Sequence, residues 1–272
     1  MNDDVIAQCD MDMPEMIAES WDKIIVWLQA NAPAKSLVIS GPATATLIDE
    51  VASQLGIDFP VELAEFYQLL DGAESCAAFP SPDDYDDMAF TPMPLNEIIS
   101  DWESQKELVE VGQFDDCTPQ SDTGIIDEWW NVGWIPFASN GGGDYLCIDT
   151  APTRDGKKGQ VISHSHESGE HRLLANSLSE YLSVLSSDFE SGKYEYHARY
   201  GVRIPVESVT KAEPREEHVR NPWTFESETL PAANDAFRNK DYARCVELLV
   251  PYEDMLDKVA ASKLALARKR CE

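Results

Sequence analysis

The segment SHSHESGEH (163–171) holds the side chains with the widest chemical reach. In an extended strand His164 and His166 share one face, and His171 can return opposite them across a turn. Three imidazoles so arranged can ligate zinc or nickel. The helical His-Glu-x-x-His pattern of metalloproteases is not met, because the second histidine falls one residue too far and Ser168-Gly169 breaks a helix. The expectation is an exposed hairpin whose histidines hold no metal, with no cofactor.

Asp144 and Asp149 bracket the second half of WIPFASNGGGDYLCID (134–149). They lack the dense oxygen spacing of a calcium loop and a third group for acid–base work. Asp144 suits the turn itself, where a short acidic side chain accepts backbone N–H bonds. Gly141, Gly142 and Gly143 do not form a phosphate cradle, since no helix begins after them. Trp129, Trp130 and Trp134 form a dense aromatic group. Trp134 reads as core, whereas Trp129 and Trp130 can anchor a partner. No nucleophile elbow, phosphate loop or dinucleotide fingerprint is present. The expectation is that the chain is not an enzyme and has no catalytic residues.

These groups must be positioned by a body of 272 residues with 43% hydrophobic content, enough for a sizeable core. Helical spacing of Ile17, Trp21, Ile24, Ile25 and Leu28 predicts a first helix over 14–30. Leu37, Val38 and Ile39 make a short strand. Thr44 caps a second helix that Gly56 closes, and Pro60 starts a third that Asp71-Gly72 ends. Residues 81–94 and 112–127 read as loops, with a fourth helix between them carrying Leu95, Ile98, Ile99 and Trp102. Strands run from about 129 to 166, joined by glycine-permitted reversals at 140–143 and 155–159. Leu178, Tyr181, Leu182 and Leu185 mark a helix after them. Helices, then strands, then a helix predict an α+β fold. Residues 206–222 read as a connection, and 223–272 as a helical tail similar to one tetratricopeptide-type helix pair plus one helix.

Charge narrows the partners. The net charge is −29, from 50 acidic and 21 basic residues, and between Asp83 and Glu128 fourteen carboxylates face one lysine. Such a surface repels nucleic acid and membrane phosphate and attracts a basic partner. No apolar run reaches the length of a membrane span, and MNDDVIAQCDMDMPE has no signal-peptide pattern, so a cytoplasmic location is expected. Six well-separated cysteines fit reduced thiols.

Three stretches together resemble the SUKH superfamily over about residues 15–190. FPVELAEFYQLLDG (59–72) is similar to its "LP, helix, NG" signature. WIPFASNGGGDYLCID (134–149) is similar to its tryptophan–proline strand, GD turn and aspartate-ended strand. GQVISHSHESGEHRLLANSLSEYL (159–182) is similar to its "G-x-V" strand and serine-led helix. Asp71 and Leu178 depart from the usual asparagine and phenylalanine. The resemblance implies an α+β domain over 1–205 with a central mixed, mainly antiparallel sheet flanked by helices; the C-terminal helical appendage lies outside it.

The same resemblance implies a binding role. Bacterial members look like immunity proteins that neutralise toxins in interbacterial competition, and fungal members like regulators of cell-wall synthesis. The first reading predicts a cognate protein toxin with a basic surface, such as a nuclease, occluded by an acidic face with aromatic anchors: Asp83, Asp84, Tyr85, Asp86, Asp87, Asp115, Asp116, Asp127, Glu128, Trp129 and Trp130. The alternative is an intracellular regulator or scaffold that recruits a partner through the helical tail.

Overall fold

Apolar residues three and four apart set the first helix, α1 (Met13–Asn31), and Ile17, Trp21, Ile24 and Leu28 are its buried face. A computed structural model of the chain describes residues 13–82, 88–205, 229–250, 252, 256 and 258–271. It divides into two compact units, residues 1–209 and 210–272.

In the first unit, α2 (Ala45–Leu55) begins where Thr44 Oγ1 accepts the Leu47 N–H and ends at Gly56 in the left-handed region. The third helix, α3 (Val61–Tyr67), follows Pro60 and stops four residues before the predicted Asp71-Gly72 end. Asp71 instead serves the next helix, where its Oδ1 accepts the Leu95 N–H at the start of α4 (Leu95–Glu110). Gly72 supplies the room for this contact. A Cβ there would lie 2.2 Å from the Pro94 nitrogen, at φ +69°. The last helix of the unit, α5 (Leu178–Glu190), is capped by Ser177 and packs on α1, with Trp27 stacked on Phe189 at 4.3 Å.

Three sheets are formed among the described residues. Short strands β1 (Val38–Ile39) and β2 (Ala73–Ser75) pair antiparallel. The main sheet contains β3 (Thr91–Pro92), β4 (Gln120–Ser121), β5 (Trp134–Ser139), β6 (Tyr145–Asp149), β7 (Gln160–His164) and β8 (Glu170–Ala175), in the order β3-β5-β6-β7-β8-β4. Every pairing is antiparallel except β4 with β8. Strands β9 (Glu195–His197) and β10 (Gly201–Arg203) form a hairpin after α5. The fold class is thus α+β, with a mainly antiparallel mixed sheet flanked by helices and a helical C-terminal region. β6 and β7 are buried at all ten positions, so both faces of the sheet's centre are covered. Ring contacts among Trp21, Phe66, Phe79 and Phe137 fill the core.

The second unit contains α6 (Leu230–Arg238), α7 (Tyr242–Leu249) and α8 (Lys258–Cys271). Asp241 caps α7 by accepting the Arg244 N–H, and Lys240 takes a positive φ in the turn before it. Ala233, Cys245, Leu249, Tyr252, Leu264 and Ala267 form its core. The predicted connection over 206–222 lies outside the described residues. Among the described residues no helix is long and apolar enough to cross a membrane.

Candidate functional site

The acidic face anticipated from the sequence is brought together in part. Asp83, Asp84, Tyr85, Asp86 and Asp87 lie outside the described residues. Asp115, Asp116, Asp127 and Glu128 are exposed, each pair next in sequence to one ring of the Phe114–Trp129 contact, and Trp129 is half-buried. Trp130 is 2% exposed and offers no surface anchor. Its ring meets Trp134 at 5.9 Å and Tyr145 at 5.8 Å inside the fold. The two tryptophans are adjacent in a bend before β5, where Trp130 turns into the core and only Trp129 stays at the edge.

Trp129 has a partner that sequence patterning does not reveal. Phe114 stacks on it, with ring centroids 6.1 Å apart and planes 26° from parallel. This contact seats the turn after α4 on the segment before β5. Trp102 makes a second tie between them, its indole N–H donating to the Val132 carbonyl at 3.0 Å. Gly169 lies beneath Trp129, and a Cβ at that position would fall 2.4 Å from the indole Cζ3. Residues 107–128 hold seven carboxylates and no basic side chain. Over residues 1–209 as a whole, 38 acidic residues stand against 10 basic ones.

Beneath this face sits the histidine pair. His164 and His171 are direct cross-strand partners on β7 and β8, and their rings stack 5.2 Å apart at 13°. Each is 1% exposed, so the expected exposure holds at the hairpin's turn, residues 166–168, and fails for these two histidines. β7 lies between β6 and β8 and is buried on both faces, so its polar residues are enclosed with the rest. Trp130 and Trp134 wall the pair edge-on, at 5.0 Å from His164 and 4.8 Å from His171. Burial pushes the His164 imidazole down to about 3, and its neighbour His171 adds to the shift. His171 is lowered too, again chiefly by burial, against the opposing pull of the Glu128 carbonyl. Both rings are therefore neutral at ordinary pH. His171 Nε2 lies 3.0 Å from the Glu128 carbonyl, an acceptor, so Nε2 carries the proton in that bond. His171 Nδ1 and both ring nitrogens of His164 have no hydrogen-bond partner among the described residues. Such enclosed imidazoles cannot reach a substrate.

His166 does not join them. Its Nδ1 and backbone N–H both meet Asp144 Oδ1, at 2.8 and 2.9 Å, while Asn140 Nδ2 donates to Asp144 Oδ2 at 2.7 Å. Asp144 thereby joins the β5–β6 turn to the β7–β8 turn. Among the described residues no group of three or more His, Cys, Asp or Glu is placed to hold a metal. Asp149 plays a structural part as well. It is fully buried, and its carboxylate accepts from Gln160 Nε2 at 2.8 Å and from the Ala151 N–H at 2.9 Å. Gln160 also reaches the Gly124 carbonyl, so one pair of side chains holds two loops against β6 and β7. Burial raises the Asp149 carboxyl, and these donors resist the rise. A cavity of about 220 Å³ beside Leu63, Ile148, Lys158 and Leu178 opens at the start of α5. Glu62 already occupies that helix end, accepting the Ser179 N–H and hydroxyl.

Fold and site together define a mixed-sheet protein with a sealed aromatic–histidine core and an acidic, aromatic outer face. The profile of the SMI1 / KNR4 family (SUKH-1) matches residues 42–184, and the chain belongs to that family. It is 24% identical over 66% of its length to a KNR4/SMI1 homolog of Yarrowia lipolytica, covering 31% of that protein. It is 22% identical over 65% of its length to a glucan synthesis regulatory protein of Neurospora crassa, covering 39% of it. It is also 24% identical over 67% of its length to the cell wall biosynthesis/cell cycle regulator smi1 of Schizosaccharomyces pombe, covering 38%. The chain thus spans 31–39% of the length of these relatives.

These likenesses correct the functional expectation. Relatives are named as regulators of glucan synthesis, of cell wall biosynthesis and the cell cycle, and of cell wall assembly, which favours the alternative over an immunity protein with a cognate toxin as partner. The SUKH signature marks the shared α+β scaffold and carries no information on which partner its surface meets.

Proposed function

We propose that the chain is an intracellular regulatory module that acts by binding another macromolecule in the control of cell-wall synthesis, and that it catalyses no reaction. The observation that carries this reading is the likeness to two named regulators, over 65% and 67% of the chain. Two features of the fold support it. Two of the three histidines of 163–171, His164 and His171, are enclosed in the core, and the half-buried Phe114–Trp129 pair has exposed carboxylates next to it in sequence. The helical second unit, with its own small core, is a further surface for partner recruitment.

The test is a chimera. The chain takes the place of the matching segment in the Schizosaccharomyces pombe regulator, in cells that lack the native copy. Resistance of the cells to β-glucanase is then measured. The expected result is resistance restored toward the native level. A chimera that accumulates as a folded protein and restores none would overturn the proposal.

A further inference from the structure

Four exposed large apolar side chains of the first unit lie on two segments that pack together. Leu108 and Val109 lie at the end of α4, Val111 follows and is 69% exposed, and Val132 precedes β5. The Phe114–Trp129 stack and the Trp102–Val132 hydrogen bond bring these segments together. Exposed apolar surface framed by charge marks a contact site. The frame here is strongly acidic: residues 106–128 hold seven carboxylates and one basic residue, Lys106, which pairs with Glu110 and lies over the Trp102 ring.

From this juxtaposition we propose that the face formed by residues 108–117 and 127–132 docks a basic segment of a partner protein. Arginine or lysine side chains lie along the Phe114–Trp129 stack, among the carboxylates of Asp115, Asp116, Asp127 and Glu128. The proposal rests on the binding role argued above and names the chemistry of the partner.

Charge complementarity selects this occupant. A cation is drawn to the carboxylates at long range and to the aromatic faces at short range. Guanidinium suits both, because it stacks on indole and pairs side-on with carboxylate. A nucleic acid or an anionic membrane is repelled by the same charges. The platform is also held before any partner arrives. Gly169 lets the indole lie close against the β7–β8 turn, and His171 Nε2 holds the Glu128 carbonyl from below. A preorganised platform loses little freedom on binding.

The test is a titration of the isotope-labelled full chain with a synthetic ten-residue peptide of arginine, leucine and serine, followed by amide and indole NMR shifts. The expected result is movement of the Trp129 indole and of amides within 108–117 and 127–132. The variant D115N/D116N/D127N/E128Q neutralises the frame at the surface. It should weaken binding about tenfold or more. The control E15Q/D22N/D49N/E50Q, which removes as many charges elsewhere, should leave affinity nearly unchanged. Shifts scattered over the whole acidic surface, with both variants equally weakened, would overturn the proposal. So would the same shifts appearing when the chain alone is concentrated, since a second copy would then cover the face. Lost peptide binding with intact chimera rescue sinks this surface alone. Intact binding with lost rescue sinks the regulatory reading alone.

Discussion

Acidification should weaken the first unit through His164, and replacing His164 with phenylalanine should abolish that part of the loss. In the unfolded chain the imidazole takes a proton near pH 6.5, whereas in the fold burial and His171 hold it back until about pH 3. A depressed folded value means that the stabilisation is complete above pH 6.5 and is lost as pH falls towards the folded value. At about pH 5 the unfolded state has gained roughly 1.5 pH units of proton binding that the folded state lacks. At about 1.36 kcal/mol per unit the loss is about 2 kcal/mol. That figure depends little on where below about pH 4 the folded group titrates. Phenylalanine has the ring that Trp130, Trp134 and Tyr145 surround at 5.0, 6.3 and 5.9 Å, but no proton to accept. Urea unfolding followed by tryptophan fluorescence, at about pH 7.5 and about pH 5, reads the effect. With a slope of about 2 kcal/mol/M, the wild-type midpoint should drop about 1 M further than that of H164F. The many carboxylates titrate in both proteins, so the difference isolates His164. Midpoints that shift in parallel would refute the reasoning, because the imidazole would then gain its proton as easily inside the fold as outside.

Other expectations follow from the same geometry. Asp149→Asn leaves one acceptor where two donors, Gln160 Nε2 and the Ala151 N–H, now find one each. It should cost about 1–3 kcal/mol in urea unfolding and speed amide exchange in the 151–159 loop. Asp144→Ala removes the acceptor shared by His166 and Asn140. About 2 kcal/mol of destabilisation is expected in urea unfolding, with faster amide exchange at Gly142 and His166. Gly72→Ala must fit a Cβ 2.2 Å from the Pro94 nitrogen at a positive φ. It should lower the thermal midpoint by several degrees, and a stability equal to wild type would contradict the close approach.

Much of the helical frame is legible in the sequence, because its signals are local. Thr44 and Gly56 mark both ends of α2, and Ser177 marks the start of α5. Long-range pairing is not legible in the same way. β4 is two residues long and joins β8 in parallel from far along the chain, as Gln120 meets Glu170. Nothing in the local periodicity of 112–127 signals it. β9 and β10 are three residues each, too short to show alternation. Asp71-Gly72 looks like a helix stop and instead serves the start of α4, across 24 residues of chain. The same limit shapes the candidate site. His164 and His171 look exposed because they are polar. His164 is buried because β7 lies between β6 and β8, and His171 because it faces His164 across the β7–β8 pair, a property of the assembled sheet. Trp129 stands out in the sequence, but its partner Phe114 is an isolated aromatic in an acidic loop, with no pattern linking it to residue 129.

If the chain regulates by contact through its outer face, cells should register the loss of that face alone. The deciding experiment is β-glucanase resistance in the Schizosaccharomyces pombe chimera, with and without D115N/D116N/D127N/E128Q, at matched protein levels. The unaltered chimera should restore resistance, and the neutralised one should lose most of it while remaining folded. Equal rescue by both chimeras would contradict regulation through this face, as would no rescue by a well-folded unaltered one.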